Sequence, residues 1–283
     1  MEIPTIVKWA GGKKQLLEQF KPLYPKTFKN YYEPFVGSGA VFFYLRQIEL
    51  HRKAMYSEPE RTYHLSDNNE DLVNVYLDVR DNVDKISKLL EEHKQKHSED
   101  GEYYYQVRDK FNGGSKGIKR SAQFIYLNKT CFNGLYRVNS KGEFNVPKGD
   151  YTKPPILNGP ILKEASRLLQ GVDIKCMSFE KTESLPQKGD FVYLDPPYYP
   201  LSKTSNFTSY TKEDFTEKDQ ERLAEYFKKL DKRGCYLMLS NSNMDFIKGL
   251  YKDYKIKKVK AKRAISCNGE GRGEIDEIVA TNY

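Results

Sequence analysis

The chain has 283 residues, enough for one large domain or for a core domain carrying an inserted smaller one. No apolar run approaches the ~20 residues a membrane helix needs. The opening "MEIPTIVKWAGGKK" shows no basic segment followed by an apolar core, so no membrane association is predicted and a cytoplasmic location is expected. The formal charge of +8 suits a polyanionic partner, and 22 Tyr and 15 Phe offer faces for stacking on bases as well as for half-buried strands.

In chain order, "VKWAGGKKQLL" places the single tryptophan, Trp9, before Gly11-Gly12 and Lys13-Lys14 at a predicted helix start. A Gly-Gly backbone beside a cation suits the carboxylate end of a small ligand; a capped surface helix is the alternative. The next stretch, "NYYEPFVGSGAVFF", reads as a strand, then Gly37-Ser38-Gly39, then a helix. Glycines let a backbone approach a ligand closely, but the third glycine of the dinucleotide fingerprint is replaced by Phe42. That favours a nucleoside ligand without pyrophosphate over NAD. A second strand, "TYHLSD", ends at Asp67, where an acid commonly accepts hydrogen bonds from ribose hydroxyls; capping the next helix is the other reading.

From Asn69 to about Gln95 the pattern is helical, followed by a polar, glycine-bearing break and a further helix at "KRSAQFIYLNK". Then comes the loop-rich "CFNGLYRVNSKGEFNVPKGDYTKPP", in which "NSKGEFNV" is shaped like a hairpin. Strand–helix alternation returns with "VDIKCMSF", "DFVYLDPP", "CYLMLSNS", "YKIKKVKA" and "DEIVATNY". Between them, "TEKDQERLAEYFKKLDKRG" sets Leu223, Phe227 and Leu230 on one helical face and Gly234 just past its end. The predicted architecture is α/β, a doubly wound Rossmann-like sheet formed by residues 1–68 and 154–283. A mainly helical domain ending in a β-hairpin, residues 69–153, is inserted into it.

Cys131, Cys176, Cys235 and Cys267 are scattered without ligand spacing, so no zinc site and no metal are predicted. His51, His64, His93 and His97 match no motif and are expected to be solvated. Lysines in Lys248 to Arg263 alternate partly with apolar residues, as a strand with one solvated face or one phosphate-binding face would.

The densest chemistry is in "FVYLDPPYYP". Proline cannot donate to a sheet ladder, so the strand stops near Leu194 and Asp195 stands at its end. An amine conjugated to an aromatic base is a poor nucleophile. A carboxylate accepting one of its N–H bonds, with the Pro196 carbonyl accepting the other, draws the nitrogen toward tetrahedral geometry and aims its lone pair. Pro196-Pro197 fixes that carbonyl, and Tyr198 stacks on the flat ring.

With these pieces in order the sequence resembles the Dam-type DNA adenine-N6 methyltransferases of the alpha group, GATC-specific subfamily. The shared elements are "KWAGGK", "EPFVGSGA", "LSDNN", "CFNGLYRVNSKGEFNVPKGDY", "DFVYLDPPY", "FTSYT" (Phe207 to Thr211) and "EIVATNY", in the family's order. The resemblance implies S-adenosyl-L-methionine as methyl donor, bound by Trp9, Lys13, Phe35, Gly37, Gly39, Asp67, Phe179 and Asp195. It implies catalysis by Asp195, Pro196, Pro197 and Tyr198 on an adenine swung out of double-stranded DNA. It implies a DNA-reading set as well. Phe132 wedges into the helix, Asn133 meets the gap or adjacent phosphates, Leu135 and Pro147 meet thymine methyls, Arg137 reads a guanine edge, and Lys8 contacts the outer guanine, with Tyr151 beside them. Many relatives carry an acid where Ser178 precedes Phe179, and a hydroxyl is the weaker acceptor for an adenine amine. The expected protein is a monomer, with a restriction endonuclease of the same site as a partner in function and no stable complex. Weighed against this are cytosine-N4 methylation, for which Ser-Pro-Pro-Tyr is usual, methylation of RNA or protein amines, and a DNA-binding regulator on an inactive scaffold.

Overall fold

The structure is a computed structural model that describes residues 2–55, 61–200, 215–262 and 274–283. The "FTSYT" segment and Cys267 lie outside these residues. The chain begins with a 3-10 turn at Lys13–Leu16, a one-turn helix α1 (Leu17–Phe20) and a second 3-10 turn at Lys21–Leu23. The helix predicted to start at Lys13 is thus short, and α1 gives way to the second 3-10 turn at Pro22, which has no N–H to continue an α-helical ladder.

The first half of the sheet follows: β1 (Tyr31–Glu33), α2 (Ala40–Lys53) and β2 (Tyr63–Asp67). Next come α3 (Glu70–Glu99), α4 (Tyr103–Asn112) and α5 (Gly117–Thr130). The polar break expected after Gln95 thus holds a helix. Tyr103, Tyr104, Val107 and Phe111 recur on one face of α4 and are all buried. The expected hairpin is present in a short form, one antiparallel bridge flanked by two backbone hydrogen bonds. Asn139 donates to the Glu143 carbonyl at 2.9 Å, and Val138 and Phe144 form one isolated bridge. Beyond the bridge the Asn145 N–H donates to the Arg137 carbonyl at 3.1 Å, and the Asn112 side chain takes the outward-facing N–H and carbonyl of Phe144, at 2.9 and 3.0 Å.

The chain then returns through α6 (Gly159–Leu169), β3 (Asp173–Cys176), β4 (Phe191–Leu194), α7 (Glu217–Arg233), β5 (Tyr236–Ser242), α8 (Asp245–Leu250), β6 (Lys255–Lys262) and β7 (Glu274–Thr281). All seven strands lie where the sequence predicts them, in the order β3-β2-β1-β4-β5-β7-β6. The first five are parallel, and β7 runs antiparallel between β5 and β6. On β4, Phe191 and Tyr193 pack into one core while Val192 and Leu194 pack into the other, so the sheet is covered on both faces. Helix α7 closes the second face with Leu223, Phe227 and Leu230, between a Thr216–Asp219 capping box and a left-handed Gly234.

Helix α3 serves two regions. Its first half (Leu72, Val73, Val75, Tyr76 and Val79) is in the core beneath the sheet, and a break from helical geometry at Asn82 separates the second half. There His93 lies 2.9 Å from the Tyr103 hydroxyl and stacks on Tyr126, while His97 meets the Tyr126 hydroxyl at 2.8 Å. Burial pushes the His93 imidazole down to about 4. His64 stacks on Tyr32 and pairs with Asp173 at 3.0 Å. The expectation of four solvated histidines therefore holds for His51 alone; the other three act as flat rings with a polar tip, packed against tyrosines.

Candidate active site

Ligands of open α/β sheets bind beyond the carboxyl ends of the strands, where the strand order reverses. Here the reversal lies between β1, which leads outward to β2, and β4, which leads outward to β5. It sets the loop after Glu33 beside Asp195.

That loop is held from three sides. Val36 donates to the Ser66 carbonyl at 3.0 Å, Gly39 donates to Val36 at 2.7 Å, and the Tyr76 hydroxyl donates to the Gly37 carbonyl at 2.9 Å. Gly37 and Gly39 have φ of +45° and +65°. A Cβ on Gly37 would stand 2.8 Å from the Trp9 ring, and one on Gly39 would stand 2.8 Å from the Tyr76 hydroxyl. Asp67 clasps the loop, accepting the Gly37 N–H at 3.2 Å and the Asn69 N–H at 3.0 Å. The residue capping α3 is Asn69, which accepts the Leu72 N–H at 3.0 Å, so the capping alternative for Asp67 falls. Burial pushes the Asp67 carboxyl up to about 6 against those N–H donors. An aromatic wall stands alongside, with Phe35 and Phe179 at 5.5 Å and Phe215 edge-on to Phe35 at 6.0 Å. Ser178 precedes this wall and accepts the Lys181 N–H through its carbonyl.

Strand β4 ends at Leu194, and Asp195 follows. Lys13 is 3% exposed, so the surface-helix reading of "GGKK" falls as well. Its ammonium lies 2.8 Å from Asp195 Oδ1, donates to the Gly11 carbonyl and sits 4.7 Å from the Tyr198 ring centroid. Burial pushes the Asp195 carboxyl up to about 6; Lys13 pulls it down and Glu277 pushes it up further. The Tyr198 hydroxyl donates to Glu277 Oε2 at 2.8 Å. The Pro197 carbonyl accepts from Gln220 Nε2 at 2.9 Å, and Gln220 accepts in turn from Asn241 Nδ2 at 3.0 Å. The Tyr199 N–H donates to Asn241 Oδ1 at 3.3 Å. The loop is thereby pinned on both sides of Pro196, whose carbonyl has no donor among the described residues. Behind Asp195, burial holds the Glu33 carboxyl well above the usual range, although the Tyr31 hydroxyl donates to it at 2.8 Å.

The residues expected to read DNA lie close to one another. Asn128 accepts the Lys8 N–H at 2.7 Å and donates to the carbonyls of Lys8 (2.8 Å) and Gly134 (3.0 Å). The Lys8 ammonium meets the Tyr151 hydroxyl at 3.3 Å and lies over its ring. Phe132 is 51% exposed, and its N–H donates to the Pro147 carbonyl at 2.9 Å. Asn133 follows at φ +54°, in a conformation that asparagine tolerates better than most residues. Leu135 is half-buried, Pro147 is exposed, and Arg137 is exposed with its Nε held by Asn145 Oδ1 at 2.8 Å. Trp9 stacks on Tyr136 at 5.9 Å, joining the glycine-loop pocket to this segment.

Reasoning from sequence missed Glu277, Gln220, Asn241, Asn128 and Tyr136. One signal was available: "LSNS" is polar at the end of a strand that is buried throughout that stretch, and buried polar groups need partners.

Residues 9–265 match the sequence pattern of the D12 class N6 adenine-specific DNA methyltransferases. The chain belongs to this family. It is 49% identical over 303 residues to a type II methyltransferase of Methanocaldococcus jannaschii, covering 100% of both chains. A type II methyltransferase of Lactococcus lactis is 42% identical over 289 residues, spanning 100% of this chain and 96% of the relative. The DNA adenine methylase of Escherichia coli is 36% identical over 276 residues, spanning 98% and 94%. As a D12 methyltransferase the protein methylates adenine N6 in DNA, and the readings as a cytosine, RNA or protein methyltransferase or as an inactive regulator give way. No helix among the described residues is long and apolar enough to cross a membrane.

Proposed function

We propose that this D12 methyltransferase acts on the adenine of GATC in double-stranded DNA, swung out of the duplex, with S-adenosylmethionine as methyl donor. The observation that carries the reading is Asp195 at the sheet's reversal point, beside a Pro196 carbonyl that no donor among the described residues engages. The target amine donates one N–H to each. Its lone pair is then turned out of conjugation while Tyr198 stacks on the purine. Cofactor and residues fit. A backbone without Cβ at Gly37 lies under Trp9, Phe35 and Phe179 give a flat apolar wall, and Asp67 suits ribose hydroxyls. When bound, the cofactor supplies an electrophilic methyl group, and a ligand bearing sulfonium and ammonium charges suits a site with this many acids.

Two further readings concern organisation. The recognition domain of residues 69–153 shares α3 with the sheet, so its working boundary lies near the Asn82 break. The enzyme acts as a cytoplasmic monomer on sites that a restriction endonuclease also recognises, without a stable complex between the two. GATC rests on the "FNGLYR" segment and on the convergence of Lys8, Phe132, Leu135, Arg137 and Pro147. Its test is methyl transfer to duplexes holding one GATC or a single-base variant, with the product nucleoside identified by mass. Transfer confined to GATC adenine is expected; equal transfer to all duplexes would reject the site.

Asp67→Ala should weaken S-adenosylmethionine binding about ten- to hundredfold, because it removes an acceptor for ribose and the clasp on Gly37. Calorimetry without DNA measures this, with Glu92→Ala as the surface control and DNA specificity unchanged. A loss no greater than the control's would reject the role.

Turnover should also fall as pH drops through about 6, because Asp195 then takes up a proton and no longer accepts from the amine. Lys13→Met removes the cation that holds this carboxyl down, so the acid limb should move to higher pH. The measurement is kcat at saturating cofactor and DNA between about pH 5 and 8. An unmoved limb would contradict Lys13's control over Asp195.

A further inference from the structure

We propose that Glu277 is a positioning residue for methyl transfer, which fixes through the Tyr198 hydroxyl the ring on which the target adenine stacks. The inference rests on the reading of Asp195 to Tyr198 given above and assigns a role to β7, which contributes nothing to that reading by itself. Glu277 is 8% exposed and lies on the one antiparallel strand of the sheet's core, opposite Ser242 of β5 and Val259 of β6. The residues that follow it, Ile278 to Ala280, are fully buried and apolar, so packing alone calls for a branched hydrocarbon here. A carboxylate is costly in such a place unless it is partnered. Among the described residues no lysine, arginine or histidine forms an ion pair with Glu277, and its hydrogen bond comes from Tyr198.

Its effect on the neighbouring acid sharpens the point. Glu277 raises the Asp195 carboxyl, which opposes the ionised form the reaction needs. A side chain that is awkward to bury and hinders the acceptor is retained for another benefit, and its contact with Tyr198 shows which. The tyrosine backbone is stiffened by Pro196-Pro197 and anchored through Gln220 to the Pro197 carbonyl. Its ring tip is tied to Glu277, and Lys13 approaches the ring at 4.7 Å. Fixed at both ends, the ring presents one plane, and a purine stacked on it brings its amine to Asp195 and the Pro196 carbonyl in one orientation. Without the tie the ring turns about its side-chain torsions, and the amine samples poses in which one of its two hydrogen bonds is lost.

The test uses the full chain with unmethylated plasmid DNA and measures kcat, KM for DNA, cofactor affinity and Tm. Tyr198→Phe keeps the stacking face and removes only the tie, whereas Glu277→Ala removes the acceptor. Each should lower kcat by about ten- to hundredfold, the range for losing a hydrogen bond to a charged group, with KM for DNA and cofactor affinity near wild type. The double variant should be no slower than either single one. Glu277→Gln, whose amide oxygen still accepts the hydroxyl, should retain most of the rate. Wild-type kcat in Glu277→Ala, losses that multiply in the double variant, or Glu277→Gln as slow as Glu277→Ala would each overturn the proposal. If Glu277→Ala does not fold, as Tm and cofactor affinity report, Tyr198→Phe and Glu277→Gln decide: a slow Phe variant and a fast Gln variant support it, and any other pairing overturns it. A folded wild type that binds cofactor yet methylates no adenine would instead reject the functional reading itself.

Discussion

Asp195→Ala is expected to abolish methyl transfer, with a loss on the order of 10³-fold or more in kcat while cofactor binding persists. On the proposed reading the carboxylate is the preorganised acceptor that turns the amine lone pair outward, and the Pro196 carbonyl accepts only the second N–H. The buried partner complicates the experiment. Removing Asp195 leaves the Lys13 ammonium, 3% exposed, without its ion-pair partner, and breaking such a pair destabilises by up to about 3–5 kcal/mol. Asp195→Ala should therefore also lower Tm. The double variant Lys13→Met/Asp195→Ala should regain most of the lost stability and none of the activity. That pattern separates a catalytic loss from a folding loss. A folded Asp195→Ala protein with near wild-type turnover would remove the foundation of the mechanism.

The second large effect concerns sequence reading. Arg137 is exposed on the turn after Phe132–Gly134, and Asn145 steadies its guanidinium from behind: Nε donates to Oδ1, and Asn145 N–H returns a bond to the Arg137 carbonyl at 3.1 Å. A fork held in this way is preorganised for the paired acceptors of a guanine edge. Arg137→Ala should then cost about 1–3 kcal/mol of discrimination at one base pair. This corresponds to roughly ten- to hundredfold relaxation there and a far smaller change elsewhere. Asn145→Ala should reproduce a weaker version of the same pattern. An arginine that merely met phosphate would lose rate equally on every duplex and lower the salt dependence of binding. Methylation rates on GATC and its single-base variants distinguish the two.

The fold was readable because its signals are local. Short runs of β-branched and aromatic residues mark the strands, with Pro34, Asp67 and Asp195 closing β1, β2 and β4, and Gly234 marks the end of α7. The end of β4 at Leu194 follows from Pro196 alone. Local signals also misled. The tyrosines of α4 are hidden in a stretch dominated by Lys, Glu and Gly. The motif residues of the site were legible as types at strand ends, but their partners were not. The pairing of Lys13 with Asp195 spans 182 positions of sequence and depends on the reversal between β1 and β4. Glu277 reaches Tyr198 only because β7 inserts antiparallel beside β5, a pairing that no periodicity announces. The histidines show the same limit from the other side: His93 and His97 look like surface residues on a charged helix until α4 and α5 fold against them.

The most direct test is single-molecule sequencing of DNA from cells that express the protein in a background free of adenine methylation, with Asp195→Ala expressed in parallel. N6-methyladenine should appear on both strands of GATC sites with the wild-type protein and be missing with the variant. N4-methylcytosine, adenine methylation unrelated to GATC, or a methylation pattern identical for both proteins would contradict the account.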